Sequence, residues 1–131
     1  MKSFFSENAP KAIGPYSQAM QTGNLLYCSG QTPLDPATMQ IEAPDIESQT
    51  RQTLNNLKQV LKVAGLSLAD VVKTNVFITE MDNFPLLNAV YAEVFGTHRP
   101  ARSTVAVKGL PHNALVEIEC IAEFKIDKSS I

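Results

Sequence analysis

Between Val71 and Lys108 the sequence changes period twice, and that succession constrains the fold more than any other feature. Val71 to Thr79 alternates, with Val72, Thr74, Val76 and Ile78 on one side and Lys73, Asn75 and Phe77 on the other, which is the period of a strand. From about Asp82 to Phe95 the spacing becomes helical: Phe84, Leu87, Tyr91 and Val94 form an apolar stripe, Pro85 is tolerated in the first turn, and Gly96 ends the run. From Arg102 the alternation returns, with Arg102, Thr104, Ala106 and Lys108 facing one way and Ser103, Val105 and Val107 the other. A strand, a crossover helix and a strand make a βαβ unit, so residues 71–79 and 102–108 should lie parallel with a right-handed connection.

The remaining segments fill out an α+β domain, and the whole chain, 1–131, is expected to be one such domain. Residues 2–5 suit a short edge strand, and two prolines with Gly14 keep Asn8 to Pro15 irregular. Ser17 to Thr22 and Leu25 to Ser29 flank Gly23-Asn24, the pattern of a hairpin with a tight turn. Gln31 to Pro44 holds three prolines and reads as a long loop with a functional or interfacial role. Asp45 is a candidate N-cap for the strongest helix of the chain, in which Ile46, Thr50, Leu54, Leu57, Leu61 and Ala64 recur until Gly65. After the turn signal Gly109-Leu110-Pro111, a last strand places Val116, Ile118, Cys120, Ala122 and Phe124 on one face. Glu117, Glu119 and Glu123 share the other with Leu115 and Ile121. Two helices can cover only one face of a mixed sheet of five or six strands. The other face, with Lys73, Asn75, Glu117 and Glu119 beside Phe77 and Ile121, is too apolar for water and too charged for a dry core, which suits a subunit contact.

Composition excludes several classes of function. With 44% hydrophobic residues, 18% charged residues and a formal net charge of -2, the chain has no electrostatic footprint for nucleic acid. No apolar run approaches the roughly 20 residues that span a bilayer, and Met1 to Glu7 lacks an apolar export segment, so a cytoplasmic protein is expected. Cys28 and Cys120 lie in strand patterns away from any ligand spacing and read as buried free thiols.

The polar residues with chemical potential are few. Arg102 offers a planar fork that fits a carboxylate, against the plainer possibility of an ion pair with Glu119 or another strand carboxylate. Glu117 could direct a water molecule, or could be a solvated strand residue. If the last two strands pair directly, these two groups lie roughly 13 Å apart along the ladder; if another strand intervenes, they are two strand spacings apart, roughly 10 Å, plus any stagger. Neither arrangement makes an intrachain pair automatic, which leaves open a site that draws its groups from two subunits. Tyr16 reads as a partly buried ring beside Pro15, Ser29-Gly30 as turn chemistry, and Asn88 as an exposed helix residue. His98 and His112 stand beside prolines without acidic partners at ligand spacing, so no metal site is expected, and there is no glycine-rich phosphate loop.

Pro100-Ala101-Arg102-Ser103, Val105, Lys108 and Leu110, followed by Val116-Glu117-Ile118, form a long and specific pattern. Together with Asn8-Ala9-Pro10, Ile13 to Ala19, Ser29-Gly30-Gln31 and Val72-Lys73-Thr74, they cover nearly the whole chain in order. This pattern resembles the reactive intermediate deaminase family, also called RidA or YjgF. The resemblance implies a chorismate-mutase-like fold assembled as a homotrimer, with sites in the clefts between subunits. It promotes Tyr16, Ser29, Gly30, Asn88, Arg102 and Thr104 to substrate-binding candidates and Arg102 and Glu117 to catalytic ones. Thr104 stands where many members carry cysteine, and Arg99 where an aromatic residue is frequent. The activity implied is hydrolysis of 2-enamine or 2-imine acids of the 2-aminoacrylate and 2-aminocrotonate type to 2-keto acids and ammonia, without metal or organic cofactor. The alternative is a non-catalytic binder of small carboxylated metabolites such as 2-keto acids. RNA binding or cleavage has been proposed within the family, and the acidic balance of this chain counts against it.

Overall fold

The computed structural model describes residues 1–125. Its elements run β1 (Lys2–Phe4), β2 (Ala19–Thr22), β3 (Leu25–Gln31), α1 (Ile46–Val63), β4 (Val71–Ile78), α2 (Phe84–Phe95), β5 (Ala101–Ala106) and β6 (Val116–Glu123), with single 3-10 turns before β4, α2 and β6. The strands form one six-stranded sheet in the order β1-β2-β3-β6-β4-β5. β4 and β5 are parallel and every other pairing is antiparallel, so the strand-helix-strand unit forms as its periods require.

The order of the last three strands decides between the two arrangements of the arginine and carboxylate strands that the sequence leaves open, in favour of an intervening strand. β4 lies between β5 and β6, and residues 107–115 carry the chain past it. β5 ends at Ala106, although the Val107 amide still donates to the Ile78 carbonyl at 2.8 Å, and Lys108 lies outside the ladder. The connection turns back through His112 and Asn113, with φ of 60° and 57°, consecutive left-handed residues that follow directly on the turn signal Gly109-Leu110-Pro111. A correction concerns Val72. The β4–β6 register shifts between Val71 and Lys73, so Val71 enters the core and Val72 faces out, 43% exposed. Other boundaries move slightly: β3 runs on through Ser29-Gly30 to Gln31, and α2 starts at Phe84 after a 3-10 turn at Met81–Asn83.

Both ends of α1 are held by the groups expected. Asp45 accepts from the Ser48 amide at 2.9 Å, and Gly65, with φ of 78°, lets the Leu66 amide reach back to the Leu61 carbonyl at 2.9 Å. The inward face of α1 is not wholly apolar. Asn56 donates to the carbonyls of Thr32 and Leu34 at 3.1 and 2.9 Å, and Gln49 donates to Ala43 and accepts from the Leu115 amide, both at 2.9 Å. The long 31–44 loop is thereby strapped to α1 with backbone groups satisfied, and Gln49 ties it to the entry of β6.

Leu54, Leu57 and Leu61 of α1 and Leu87 of α2 pack on Leu26, Val76, Ile78, Val116 and Ile118 of the sheet, all essentially inaccessible to water. Burying each leucine contributes about 1.5–3 kcal/mol, and Leu57→Ala is expected to lower stability by about 2–5 kcal/mol, read from the shift of a denaturant midpoint. The opposite face carries no helix. By register its rows are Tyr27, Ile121 and Lys73; Glu119, Asn75 and Ser103; and Glu117, Phe77 and Val105. Tyr27 and Val105 are 46% and 47% exposed. Among the described residues, no helix is long and apolar enough to cross a membrane.

Candidate functional site

Glu117 projects from the uncovered face of β6 because Val116 and Ile118 on either side are core residues. Its carboxylate lies against the backbone of Gly30, where the β3–β6 register shifts. A Cβ at Gly30 would stand 2.9 Å from Glu117 Cδ and 3.1 Å from Oε2, closer than side chains tolerate, so glycine is required for this placement. Burial first, and then the neighbouring charge of Glu119, raises the Glu117 carboxyl above the ordinary glutamate value of 4.5. Around it opens a cavity of about 540 Å³ whose lining includes Tyr16, Ser29, Gly30, His112 and Glu117. Tyr16 is half exposed at its mouth, with the hydroxyl accepting from the Ile13 amide at 3.3 Å, while Ser29 donates its hydroxyl proton to the Ser17 carbonyl at 2.6 Å.

Arg102, Thr104 and Asn88 form a second group elsewhere. Arg102 is the β5 neighbour of Thr74, a core residue opposite Cys120, so its side chain leaves the helix-covered face of the sheet. There it meets α2, where Phe84, Asn88 and Tyr91 share one stripe. The guanidinium carbon lies 4.8 Å from the Tyr91 ring centre and 5.5 Å from that of Phe84. Among the described residues the one ion pair is Arg51 with Glu93, so the alternative of Arg102 locked to a strand carboxylate is overturned. Asn88 is half-buried rather than exposed, and its Oδ1, like the Oγ1 of Thr104, is shielded from water without a hydrogen-bond partner. Such groups cost about 1–3 kcal/mol when left unpaired, and the buried hydroxyls of Thr50 and Thr53 are in the same position.

Within one chain the two groups cannot meet. Arg102 shares a row with Thr74 and Cys120, whereas Glu117 shares one with Phe77 and Val105, three residues further along and on the opposite face of the sheet. Two strand spacings and three residue steps, roughly 10 Å each, separate them with the sheet in between. Of the other candidates, His98 binds the Val71 carbonyl at 2.7 Å, and Arg99 folds back on the carbonyls of Gly96 and His98. Cys28 and Cys120 are free, buried and directly opposite each other, and hydrogen bonding to Cys28 together with burial holds the Cys120 thiol well above its ordinary range. No group of three or more His, Cys, Asp or Glu among the described residues is arranged to hold a metal ion. Sequence reasoning missed the aromatic pair beneath Arg102, having assigned Phe84 and Tyr91 wholly to the core stripe; their spacing with Asn88 was the available signal.

The sequence model of the endoribonuclease L-PSP family matches residues 6–124. The chain belongs to this family, which includes the RutC and RidA proteins. It is 53% identical over 118 residues to a RutC family protein of Pyrococcus horikoshii, covering 90% of this chain and 94% of that one. It is 44% identical over 124 residues to the 2-iminobutanoate/2-iminopropanoate deaminase of Escherichia coli, covering 92% and 96%. The structure of Escherichia coli TdcF with bound serine superposes with a TM-score of 0.91 at 41% identity, over 95% of this chain and all of the other. The RidA-like fold expected from the sequence is therefore the fold observed.

In a RidA-family chain, Gly30→Ala separates placement of the Glu117 carboxylate from the fold. The added methyl meets the flexible end of Glu117 rather than backbone, so the side chain should swing aside at little cost. The melting temperature is expected to stay within a few degrees while any turnover that depends on this carboxylate falls on the order of tenfold or more, as misplacement of a reacting group does. A scanning melt and a steady-state assay read the two effects.

Proposed function

We propose that this RidA-family chain hydrolyses 2-imino acids to 2-keto acids and ammonia in sites formed where copies of the chain meet in a ring of three. The observation that carries the proposal is the pair of incomplete groups on opposite faces: a carboxylate with raised proton affinity over an open cavity, and a guanidinium beside two orphaned polar atoms. Stacking the uncovered sheet face of one copy against the β5 edge of the next brings the groups together and shields Tyr27, Val105 and Phe77. The name of the Escherichia coli deaminase and the serine held by TdcF agree with a small amino- or imino-acid ligand. Two buried, unbridged thiols suit a reducing cytoplasm.

In the proposed reaction Arg102 clamps the carboxylate through two parallel N–H donors, and Asn88 and Thr104 meet the polar atoms next to it. Tyr16 of the neighbouring copy lies over the planar imine, and the Ser29-Gly30 backbone shapes the floor beneath Glu117. Glu117 takes a proton from water as the oxygen attacks the imine carbon and passes it to the nitrogen, giving a neutral carbinolamine. It then takes the hydroxyl proton and delivers it to the nitrogen as the C–N bond breaks, so the carbonyl forms, ammonia departs, Glu117 is again ionised and no electrons are exchanged. An enamine enters by first becoming its imine tautomer. Imine hydrolysis is intrinsically fast, so holding substrate and water together with modest acid–base help is enough.

A threonine or serine dehydratase supplies such an imine in the assay vessel, and keto-acid formation is followed with wild type and with Arg102→Ala. Acceleration by wild type alone supports the proposal. No acceleration by wild type removes the enzymatic claim, and retained keto-acid binding would then leave a carboxylate-binding module.

A further inference from the structure

An arginine that grips a ligand has to be held in place without using the donors it needs, and the surroundings of Arg102 do this with rings. We propose that Phe84 and Tyr91 are positioning residues: their π faces cradle the Arg102 guanidinium and leave its N–H groups free for the substrate carboxylate. The inference rests on the carboxylate-clamping role of Arg102 given above.

The cradle is fixed on several sides. Tyr91 is 6% exposed, its ring stacks on Phe95 with centres 4.5 Å apart, and its hydroxyl is 2.8 Å from Thr74 Oγ1. Thr74 is also the ladder partner of Arg102, so platform and cation are referenced to the same point of β4. Phe84, one helical turn before Asn88 and two before Tyr91, extends the aromatic surface at 5.5 Å. A carboxylate in place of the rings would neutralise the arginine and occupy its fork. An aromatic face attracts the cation without accepting a hydrogen bond from it, so the N–H donors stay open. Freezing the side chain before the ligand arrives also removes the ordering cost that a free arginine meets on binding.

Binding of 2-oxobutanoate, measured by calorimetry on the assembled protein, tests this. Tyr91→Leu is expected to weaken binding roughly tenfold, the scale of a shielded cation–aromatic contact, and Phe84→Leu about threefold. Tyr91→Phe keeps the face and loses only the Thr74 bond, so it should restore affinity to within about twofold of wild type. In turnover, Tyr91→Leu should raise KM with kcat nearly unchanged, because the carboxylate is gripped equally before and during reaction. Wild-type affinity in both leucine variants, with Arg102→Ala unable to bind, overturns the cradle and leaves the clamp standing. Failure of wild type to bind the acid overturns the clamp and the cradle with it. Should Tyr91→Leu not assemble, Phe84→Leu, whose ring is only partly buried, decides alone.

Discussion

Replacing Arg102 by alanine is expected to lower kcat/KM for 2-imino acids by on the order of 100-fold or more, the loss of a charge-assisted clamp worth about 3 kcal/mol. The fold should barely respond. Arg102 holds no intrachain carboxylate, and only its contact with Phe84 and Tyr91 is given up, so melting should shift by no more than a surface change does. Arg102→Lys keeps the charge without the planar fork and should recover only a minor part of the lost activity. Parallel melting curves and keto-acid assays give both readings. A large fall in stability with Arg102→Ala would return this residue to a structural role.

The second large effect belongs to Glu117. Glu117→Gln keeps the shape against Gly30 and removes the proton acceptor, so turnover should fall about 100-fold to 10,000-fold while 2-keto-acid binding is preserved. The wild-type rate should rise with pH as Glu117 ionises, with its midpoint above the usual 4.5 because burial and Glu119 disfavour the charge. Stability should move the other way. A carboxyl whose proton affinity is higher folded than unfolded stabilises the fold fully below 4.5 and loses that contribution as pH climbs through the raised value. Glu117→Gln is therefore expected to gain on wild type in melting temperature as pH increases over this window. A pH-independent difference would place the Glu117 carboxyl outside the titration.

Much of this was legible in local periodicity. The alternation of Val116 to Glu123 set which face of β6 carries Glu117, and the change of period from Val71 to Arg102 set the parallel pair. What the sequence withheld was non-local. Whether β6 joins β5 or β4 depends on which edge the chain after Ala106 reaches, and the left-handed backbone at His112 and Asn113 that redirects it is not the preference of those residue types alone. The bulge at Val72 reverses one residue against a pattern otherwise obeyed, because a single extra residue in one strand is invisible to a period of two. The contact of Gly30 with Glu117 joins strands far apart in the chain, and glycine beside serine looks like any turn. Asn88 was misjudged because a polar residue inside a helix is ordinarily exposed, whereas this one lies half-buried on the stripe it shares with Phe84 and Tyr91, where tertiary packing and not helical position decides whether water reaches it.

The decisive measurement mixes two inactive variants. Arg102→Ala and Glu117→Gln proteins are unfolded together in equal amounts and refolded. If each site draws Arg102 from one copy and Glu117 from the next around a ring, random assembly puts both intact groups in about one quarter of sites, and about a quarter of wild-type activity returns. Activity no higher than that of either variant alone, in assemblies shown by mass to contain both chains, would contradict the shared site.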